Sequence, residues 1–521
     1  MNILLIFVAF LFPVMVFLFF RKIIVSGSDH YYHSLLINLI RRNRFRFATK
    51  HTNFINENIV SYPQLLHWLF SFFSDRFIFA FSPFLGLFFQ VIQILGFWFF
   101  LVCLNRFQVV QLSGMQISLA VFAFSFIPYT YFVSNAKNTG LSARGMGLFF
   151  GQVLLYGFVL KENLSPLLFY ALTGITGLLI ILSSQFATQF LVFFSVIFSL
   201  VSLDFAPFIS LLLSFVSLFV LFPKYGRNMM LGQWRHKVLY SKYLASIYIL
   251  KKRPSVWLDL FVEIPSQFIL LLKKRVDKLK TDHWNYIFDN PVIIGVFFIP
   301  ALLVFLFSKA MGVPGHFSEL IFCSLIIYLL TTLKPLRFLG EPERYLEFVF
   351  PLLVINVVLL LSVNQFIILT CYSAFVLLFY FLIQYKNRSR NINGGDRDRF
   401  NEQALFYEGL VRKIKEKNNA RVFCNSTEIS KFLFDPDIQM FYYPVNSLST
   451  DVFSFSKVYS ESYARVNVEI VPDLIRYYQL NTLIIEAHQS EIYEDMLKAD
   501  NFDYFIENYG NSLNLIYLSD L

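Results

Sequence analysis

Residues 3–33 read ILLIFVAFLFPVMVFLFF, then RKIIVSGSD, then HYYH. The opening run carries no charge and approaches the length of about 20 residues that a helix needs to cross the hydrocarbon core. No basic stretch precedes it, and Arg21 and Lys22 follow where a small-residue cleavage site would stand, so it reads as a retained anchor and not as a signal peptide. Polar and ionisable residues come directly after it. Asp29, His30 and His33 therefore cluster at a membrane border, where charge is costly unless it has work to do.

The rest of the chain sets the same frame. With 56% hydrophobic residues, 66 Phe, 15% charged residues and a mean hydropathy of +0.58, a chain of 521 residues is not a soluble protein. Apolar runs of near-spanning length stand around 3–20, 78–103, 111–133, 144–160, 166–184, 187–203, 206–222, 292–308, 316–333, 344–362 and 365–384, which predicts about eleven spans. Near residue 384 the character changes: a polar, glycine-containing linker over 385–400 leads into ordinary globular sequence over 401–521. There, 420–425 and 481–486 read as buried strands, and 402–417, 471–479 and 490–498 as amphipathic helices. The fold class is a polytopic α-helical membrane protein, residues 1–384, with a small C-terminal α/β soluble domain. That tail carries no phosphate loop, metal motif or nucleophile elbow, and on its own reads as a cap or docking module. Cys103, Cys323, Cys371 and Cys424 follow no disulfide or zinc spacing.

Counting spans puts 21–77, 134–143, 223–291, 334–345 and the tail on one side of the membrane. The opposite side receives short turns carrying Arg106, Lys161 and Lys309. The elaborated face is strongly basic, with Arg41, Arg42, Arg44 and Arg46 in the first loop and six Lys and Arg within 251–275. The positive-inside tendency assigns that face to the cytoplasm. An anionic lipid-linked substrate would place positive charge on an outer face for a different reason, because Arg and Lys bind phosphate. Charge alone leaves both orientations open.

Asp29 and His33, four residues apart, share one face of a short helix continued by the apolar stripe Leu36, Ile37 and Ile40, which is expected to pack on the membrane domain. A carboxylate and an imidazole so placed suit a general base or part of a divalent-cation site; Asp29 also fits an ordinary helix N-cap. His67 follows Tyr62-Pro63 and either reaches the same cavity or sits half solvated beside Trp68. Arg144 stands at the mouth of a span whose small Gly145 and Gly147 permit close approach, where it grips a phosphate or snorkels. Gln185, in a polar turn on the same face, is a weaker candidate. The run from Arg337 to Phe348 holds Glu341, Glu343, Arg344, Tyr345 and Glu347 against an apolar span, and such charges are either mutually neutralised or ligand-bound.

The run Asp29-His30-Tyr31-Tyr32-His33 looks like the acidic first-loop motif of oligosaccharyltransferase catalytic subunits, with His30 where proline stands. Tyr62-Pro63 resembles the segment before their second span. Glu341-Pro342-Glu343-Arg344-Tyr345 resembles the late-span motif in which a basic residue beside Tyr faces the lipid-linked phosphate. On these motifs, about a fifth of the chain, the protein resembles the polyprenyl-phosphate-sugar-dependent membrane glycosyltransferases of GT-C type, which include oligosaccharyltransferases and family-39-like mannosyltransferases.

The resemblance carries over Asp29 and Arg344; together with the reading of the residues, this makes Asp29 and His33 the expected catalytic residues and Arg144, Arg344, Tyr345 and Glu341 the expected binders of the substrate phosphate, with His30, His67 and Gln185 as secondary candidates. In the resemblance the first-loop acid serves as base or as cation ligand, and in the second case Asp29 is the candidate ligand of a divalent cation, Mg or Mn. The first loop has no paired acids and the tail no Trp-Trp-Asp signature, which favours single-sugar transfer over transfer of a whole oligosaccharide to asparagine. Expected partners are a polyprenyl-phosphate-sugar donor, a glycan, lipid or protein acceptor and the bilayer, without nucleic acid. The expected location is a prokaryotic cytoplasmic (inner) membrane, with the active cavity between first loop and membrane domain and the tail both extracytoplasmic. The rivals are a flippase or transporter for a lipid-linked glycan and an envelope polysaccharide polymerase. Notable charges at span ends and the lack of an internal repeat favour the enzyme over the transporter.

Overall fold

The structure is a computed structural model that describes residues 2–20, 29–56, 59–126, 141–239, 315–333, 344–372, 396–417, 419–442 and 466–519, with isolated positions between them. The expected span 292–308, most of the basic stretch 251–275, Glu341 and residues 385–395 lie outside the described residues. The chain forms two compact units. One comprises 1–25, 81–221 and 249–394, and the other 26–80, 222–248 and 395–521.

The first unit is built of apolar helices. Three helices are long and apolar enough to cross a membrane, spanning 75–106, 166–183 and 185–202, and seven shorter apolar helices accompany them among the described residues. Their ends follow local chemistry. Ser113 and Gln116 form a reciprocal capping box at Gly114–Ser125, and Ser165 caps Pro166–Ser183 with proline in its first turn. Extended Ser184 ends that helix and caps Gln185–Ser202 by accepting from the Ala187 N–H, so two spans meet at a single residue. On the side expected to hold short turns, Lys161 pairs with Asp204 at 2.7 Å and ties two of those turns together.

Where the spans touch, small and hydroxylated side chains meet. Thr173 and Ser210 share a hydrogen bond of 2.8 Å, and Ser214 donates to the Gly174 carbonyl at 3.2 Å, joining Pro166–Ser183 to Ala206–Leu221. Helices pack without a hydrophobic drive inside lipid, so close backbone approach and such bonds hold the pair. The glycines expected to permit close approach do so. A Cβ on Gly145 would lie 2.7 Å from Phe89 Cβ, and one on Gly147 2.6 Å from Ser184 Cβ and 2.9 Å from Ala187 Cβ. Gly147→Ala is therefore expected to destabilise the protein by about 1–3 kcal/mol through overpacking. At Gly174 the nearest neighbour is Leu213 Cβ at 3.5 Å, so alanine there is expected to be neutral. Thermal unfolding of the two variants in detergent checks this; equal midpoints would remove the steric account.

The second unit is a five-stranded sheet with helices on both faces. Its order is β2-β1-β3-β5-β4, from β1 (Arg421–Cys424), β2 (Gln439–Met440), β3 (Thr482–Glu486), β4 (Tyr504–Tyr509) and β5 (Leu513–Leu518). The first three run parallel, and β5 and β4 close as an antiparallel hairpin that turns at Gly510, whose φ of +62° suits glycine. Side chains alternate across the sheet. Val422, Cys424, Ile484 and Leu515 enter one core, and Phe423, Leu483, Ile485 and Ile516 enter the other, which Val471–Tyr478 and Ser490–Ala499 cover.

The covering of the first core departs from the expected packing. Leu35, Leu36, Leu39 and Ile40 of the first-loop helix Asp29–Arg42 join it together with Leu410 and Ile414 of the helix Asp396–Glu416. Of the stripe expected to seat on the membrane spans, Leu36 and Ile40 seat on the tail. The same loop lengthens the sheet: Ile55 N–H donates to the Met440 carbonyl at 2.9 Å, Met440 N–H to the Asn53 carbonyl at 2.7 Å, and Phe54 bridges Met440 in parallel. An edge strand as short as β2 leaves backbone groups to be paired, and the first loop pairs them. The helix Pro223–Leu239 joins this unit through the Tyr225 hydroxyl, which donates to the Tyr62 carbonyl at 2.9 Å.

Candidate functional site

The first-loop helix begins at Asp29, of which only the backbone position is described, so the residue stands in the first turn, at the positive end of the helix dipole. One turn on, His33 is buried, and its Nδ1 lies 2.7 Å from Nε2 of buried His67 on the helix Leu65–Ser71. The rings stack with centroids 4.9 Å apart, and Tyr62 presents its ring at a steep angle to both. A hydrogen bond between two imidazoles needs one N–H and one lone pair, so at least one of the two rings is neutral. Burial, with His33 alongside, keeps the His67 pKa well below the usual imidazole value, and the Pro63 carbonyl only partly offsets this. His30 is half-buried, and burial lowers its pKa as well. Of the sequence candidates in this loop, the structure brings His33 and His67 together and leaves His30 beside Tyr31.

His51, buried in the same unit against Phe54, has its pKa lowered by burial to about 3. The unfolded chain would protonate this imidazole near pH 6.5, while the folded one resists down to about pH 3. Stability is therefore complete above pH 6.5 and falls below it by on the order of 1 kcal/mol per pH unit. His51→Phe, which keeps a ring on Phe54, is expected to flatten the loss between pH 7.5 and pH 5. An unchanged pH dependence of the unfolding midpoint in that variant counts against the assignment.

The far end of the helix is fixed by Arg41. Its guanidinium donates to the Ser71 carbonyl at 3.1 Å, to the Phe73 carbonyl and to Asp75 at 2.5 Å. Arg42 pairs with Asp437 at 2.6 Å, and that hydrogen bond holds the Asp437 carboxyl below the usual carboxylate range. Two basic residues of the first loop thus position its helix.

In the membrane unit, a second set of candidates shares one end of the helix bundle. Arg144 opens the helix Arg144–Val159 and is exposed. One turn later Gly147 lies against Ser184, and Ser184 is followed by Gln185, whose buried Nε2 finds no hydrogen-bond partner among the described residues. Next comes Phe186, with the Arg344 guanidinium 5.5 Å from its ring centroid. Tyr345 is buried against Phe186 and Phe193, and its hydroxyl donates to Gln189 Oε1 at 3.3 Å. The structure thus joins Arg344 and Tyr345 through Phe186 and Gln189, while Arg144 opens the helix whose Gly147 lies against Ser184, next to Gln185. Sequence reasoning missed Gln189, although its place one turn after Gln185 on the same helix face was available. Among the described residues no group of three or more His, Cys, Asp or Glu could hold a metal ion.

No protein-family model matches the chain, and no curated protein matches it in sequence. Its fold is similar to that of an archaeal oligosaccharyltransferase. The structure of AglB from Archaeoglobus fulgidus in complex with an inhibitory peptide and a dolichol-phosphate is similar over 99% of this chain and 74% of that one, with a TM-score of 0.52 and 12% identity. The apo form of the Archaeoglobus fulgidus oligosaccharyltransferase is similar over 97% and 73%, with a TM-score of 0.53 and 13% identity. A third structure, tethered with an acceptor peptide containing the NVT sequon, is similar over 100% and 74%, with a TM-score of 0.51 and 12% identity. The chain is therefore a polytopic membrane protein with a C-terminal α/β domain.

Proposed function

We propose that the protein is a membrane glycosyltransferase that takes a sugar from a polyprenyl-phosphate carrier and delivers it to a glycan, lipid or protein acceptor. The observation that carries this reading is the similarity of almost the whole chain to an oligosaccharyltransferase whose structure holds a dolichol-phosphate. The membrane part, 1–384 with about eleven spans, is the catalytic portion, and the tail 401–521 follows the linker 385–400. In the reaction, the acceptor oxygen bonds to the anomeric carbon as its proton passes to the Asp29 carboxylate, and the bond from that carbon to the phosphate oxygen breaks. Negative charge gathers on the departing carrier phosphate, where Arg344 and Arg144 stabilise it. His33, held by His67, keeps an imidazole one turn from Asp29. Tyr345, bound to Gln189, fixes the turn that carries Arg344, and Glu341, three residues before Arg344 in the sequence, is the remaining candidate for the phosphate. No step is routed through a divalent cation.

Release of free polyprenyl phosphate from radiolabelled polyprenyl-phosphate sugars tests the reading without knowledge of the acceptor. A glycosyltransferase liberates the carrier; a flippase moves the intact donor and liberates none. We place the active site and tail outside the cytoplasm of a prokaryotic inner membrane. Topology reporters after Leu521 and near Asn53 are expected to report the extracytoplasmic side together. If both report the cytoplasm, the basic face obeys the positive-inside tendency and the orientation is wrong.

A further inference from the structure

We infer that the elbow formed by residues 43–47 and 65–77 docks into the headgroup layer of an anionic bilayer. Five large apolar side chains of this elbow, Phe45, Leu69, Phe72, Phe73 and Phe77, are each between 40% and 56% exposed. They form an ordered surface. Phe45 stacks on Phe72 with centroids 5.1 Å apart and planes 7° from parallel, Phe73 stacks on Phe77 at 4.7 Å, and Trp68 meets Phe72 edge-on at 5.1 Å. The Trp68 indole N–H donates to the Phe45 carbonyl at 2.9 Å, so the one polar atom of that ring is satisfied. Arg44 and Phe45 hold consecutive left-handed backbone angles, φ of 55° and 59°, which L side chains adopt at a cost. That strained pair keeps Phe45 on the outer surface with Phe72, and persists only where the surroundings enforce it.

Arginines complete the surface. Arg44, Arg46 and Arg76 are exposed and take part in no ion pair among the described residues, whereas Arg41 and Arg42 nearby are both paired. Aromatic rings with unpaired arginines are the combination that settles at the boundary between acyl chains and anionic headgroups. The occupant follows from continuity. The elbow runs without a break in the sequence into the apolar helix 75–106, which is long enough to cross the membrane, so its residues already stand at a membrane border. Because Arg41 binds the Ser71 and Phe73 carbonyls, docking the elbow also fixes the end of the Asp29–Arg42 helix relative to the lipid surface. The inference holds whether or not the chain transfers a sugar.

The test uses the unmodified full chain in nanodiscs of equal parts phosphatidylcholine and phosphatidylglycerol, doped with a phospholipid carrying a photoreactive diazirine near its headgroup. Mass spectrometry is expected to find adducts on peptides covering 43–47 and 65–77 as well as on the span 85–106. In the Arg44→Gln, Arg46→Gln, Arg76→Gln triple variant, elbow labelling is expected to drop about fivefold while span labelling is unchanged, which also reports that the protein is inserted. Span labelling without elbow labelling overturns the inference. So does an elbow shielded from lipid and cross-linked to a second protein molecule.

Discussion

Replacing Asp29 by Asn will abolish glycan transfer and leave the amount of protein in the membrane unchanged. The two roles open to Asp29, proton acceptor and helix cap, separate cleanly on this substitution. Asn and Asp cap helices about equally well, because either side-chain oxygen accepts a hydrogen bond from the N–H groups of the first turn. The helix Asp29–Arg42 is also held by the burial of Leu35, Leu36, Leu39 and Ile40 and by Arg41 and Arg42, none of which the substitution touches. Folding should therefore be indifferent to it. A neutral amide, by contrast, takes no proton from an attacking hydroxyl, and loss of a general base costs about 10²–10⁴-fold in rate. Asp29→Ala adds the loss of the cap, about 1 kcal/mol, so its lower thermal midpoint beside a normal Asp29→Asn midpoint would confirm that capping and catalysis have been read apart. The assay is carrier release per mole of protein in membranes, with expression measured on the same samples. Full activity in Asp29→Asn removes the carboxylate from the mechanism and leaves only the cap.

What could be read from the sequence was the part that local pattern encodes. β1 and β3 stand where short buried runs were expected, and Asp396–Glu416, Val471–Tyr478 and Ser490–Ala499 where amphipathic periodicity was, because burial on one face imprints a period on adjacent residues. The close approach at Gly145 and Gly147 was legible for a similar reason, since a residue without a Cβ has few other uses at a span mouth. Partners distant in the chain were not. The pattern of the first-loop helix announced an apolar stripe, but nothing in it specified whether spans or tail would receive that stripe, and Ile55 pairs with Met440 across most of the chain. The hairpin β4-β5 escaped notice because its outward residues include Phe505, which is 63% exposed and blurs the alternation that marks a half-buried strand. His33 and His67 were each candidates, yet their contact is a property of the folded loop alone.

Arg344→Ala should weaken donor binding far more than acceptor binding. The guanidinium sits at the start of a short helix at the edge of the membrane unit, partly exposed and against the Phe186 ring, with the turn beneath it locked by Tyr345 on Gln189 and by Phe348 stacked on Phe190 at 3.8 Å. That packing fixes the backbone without enclosing the charge, so truncating the side chain removes a cation and leaves the turn in place. A hydrogen bond to a charged group contributes about 1.5–3 kcal/mol, which corresponds to a donor KM raised about 10- to 150-fold. Arg344→Lys keeps the charge but not the planar fork that meets two phosphate oxygens, and should fall between parent and alanine variant. A structural clasp predicts otherwise: if Arg344 served only to neutralise the buried Glu347, then Arg344→Ala would lower the thermal midpoint and depress binding of both substrates alike, and Glu347→Gln would rescue it. Measuring both KM values and the midpoint on one preparation separates the two cases. An effect confined to acceptor affinity would refute the phosphate role, because no arrangement that leaves the donor untouched places this arginine on its leaving group.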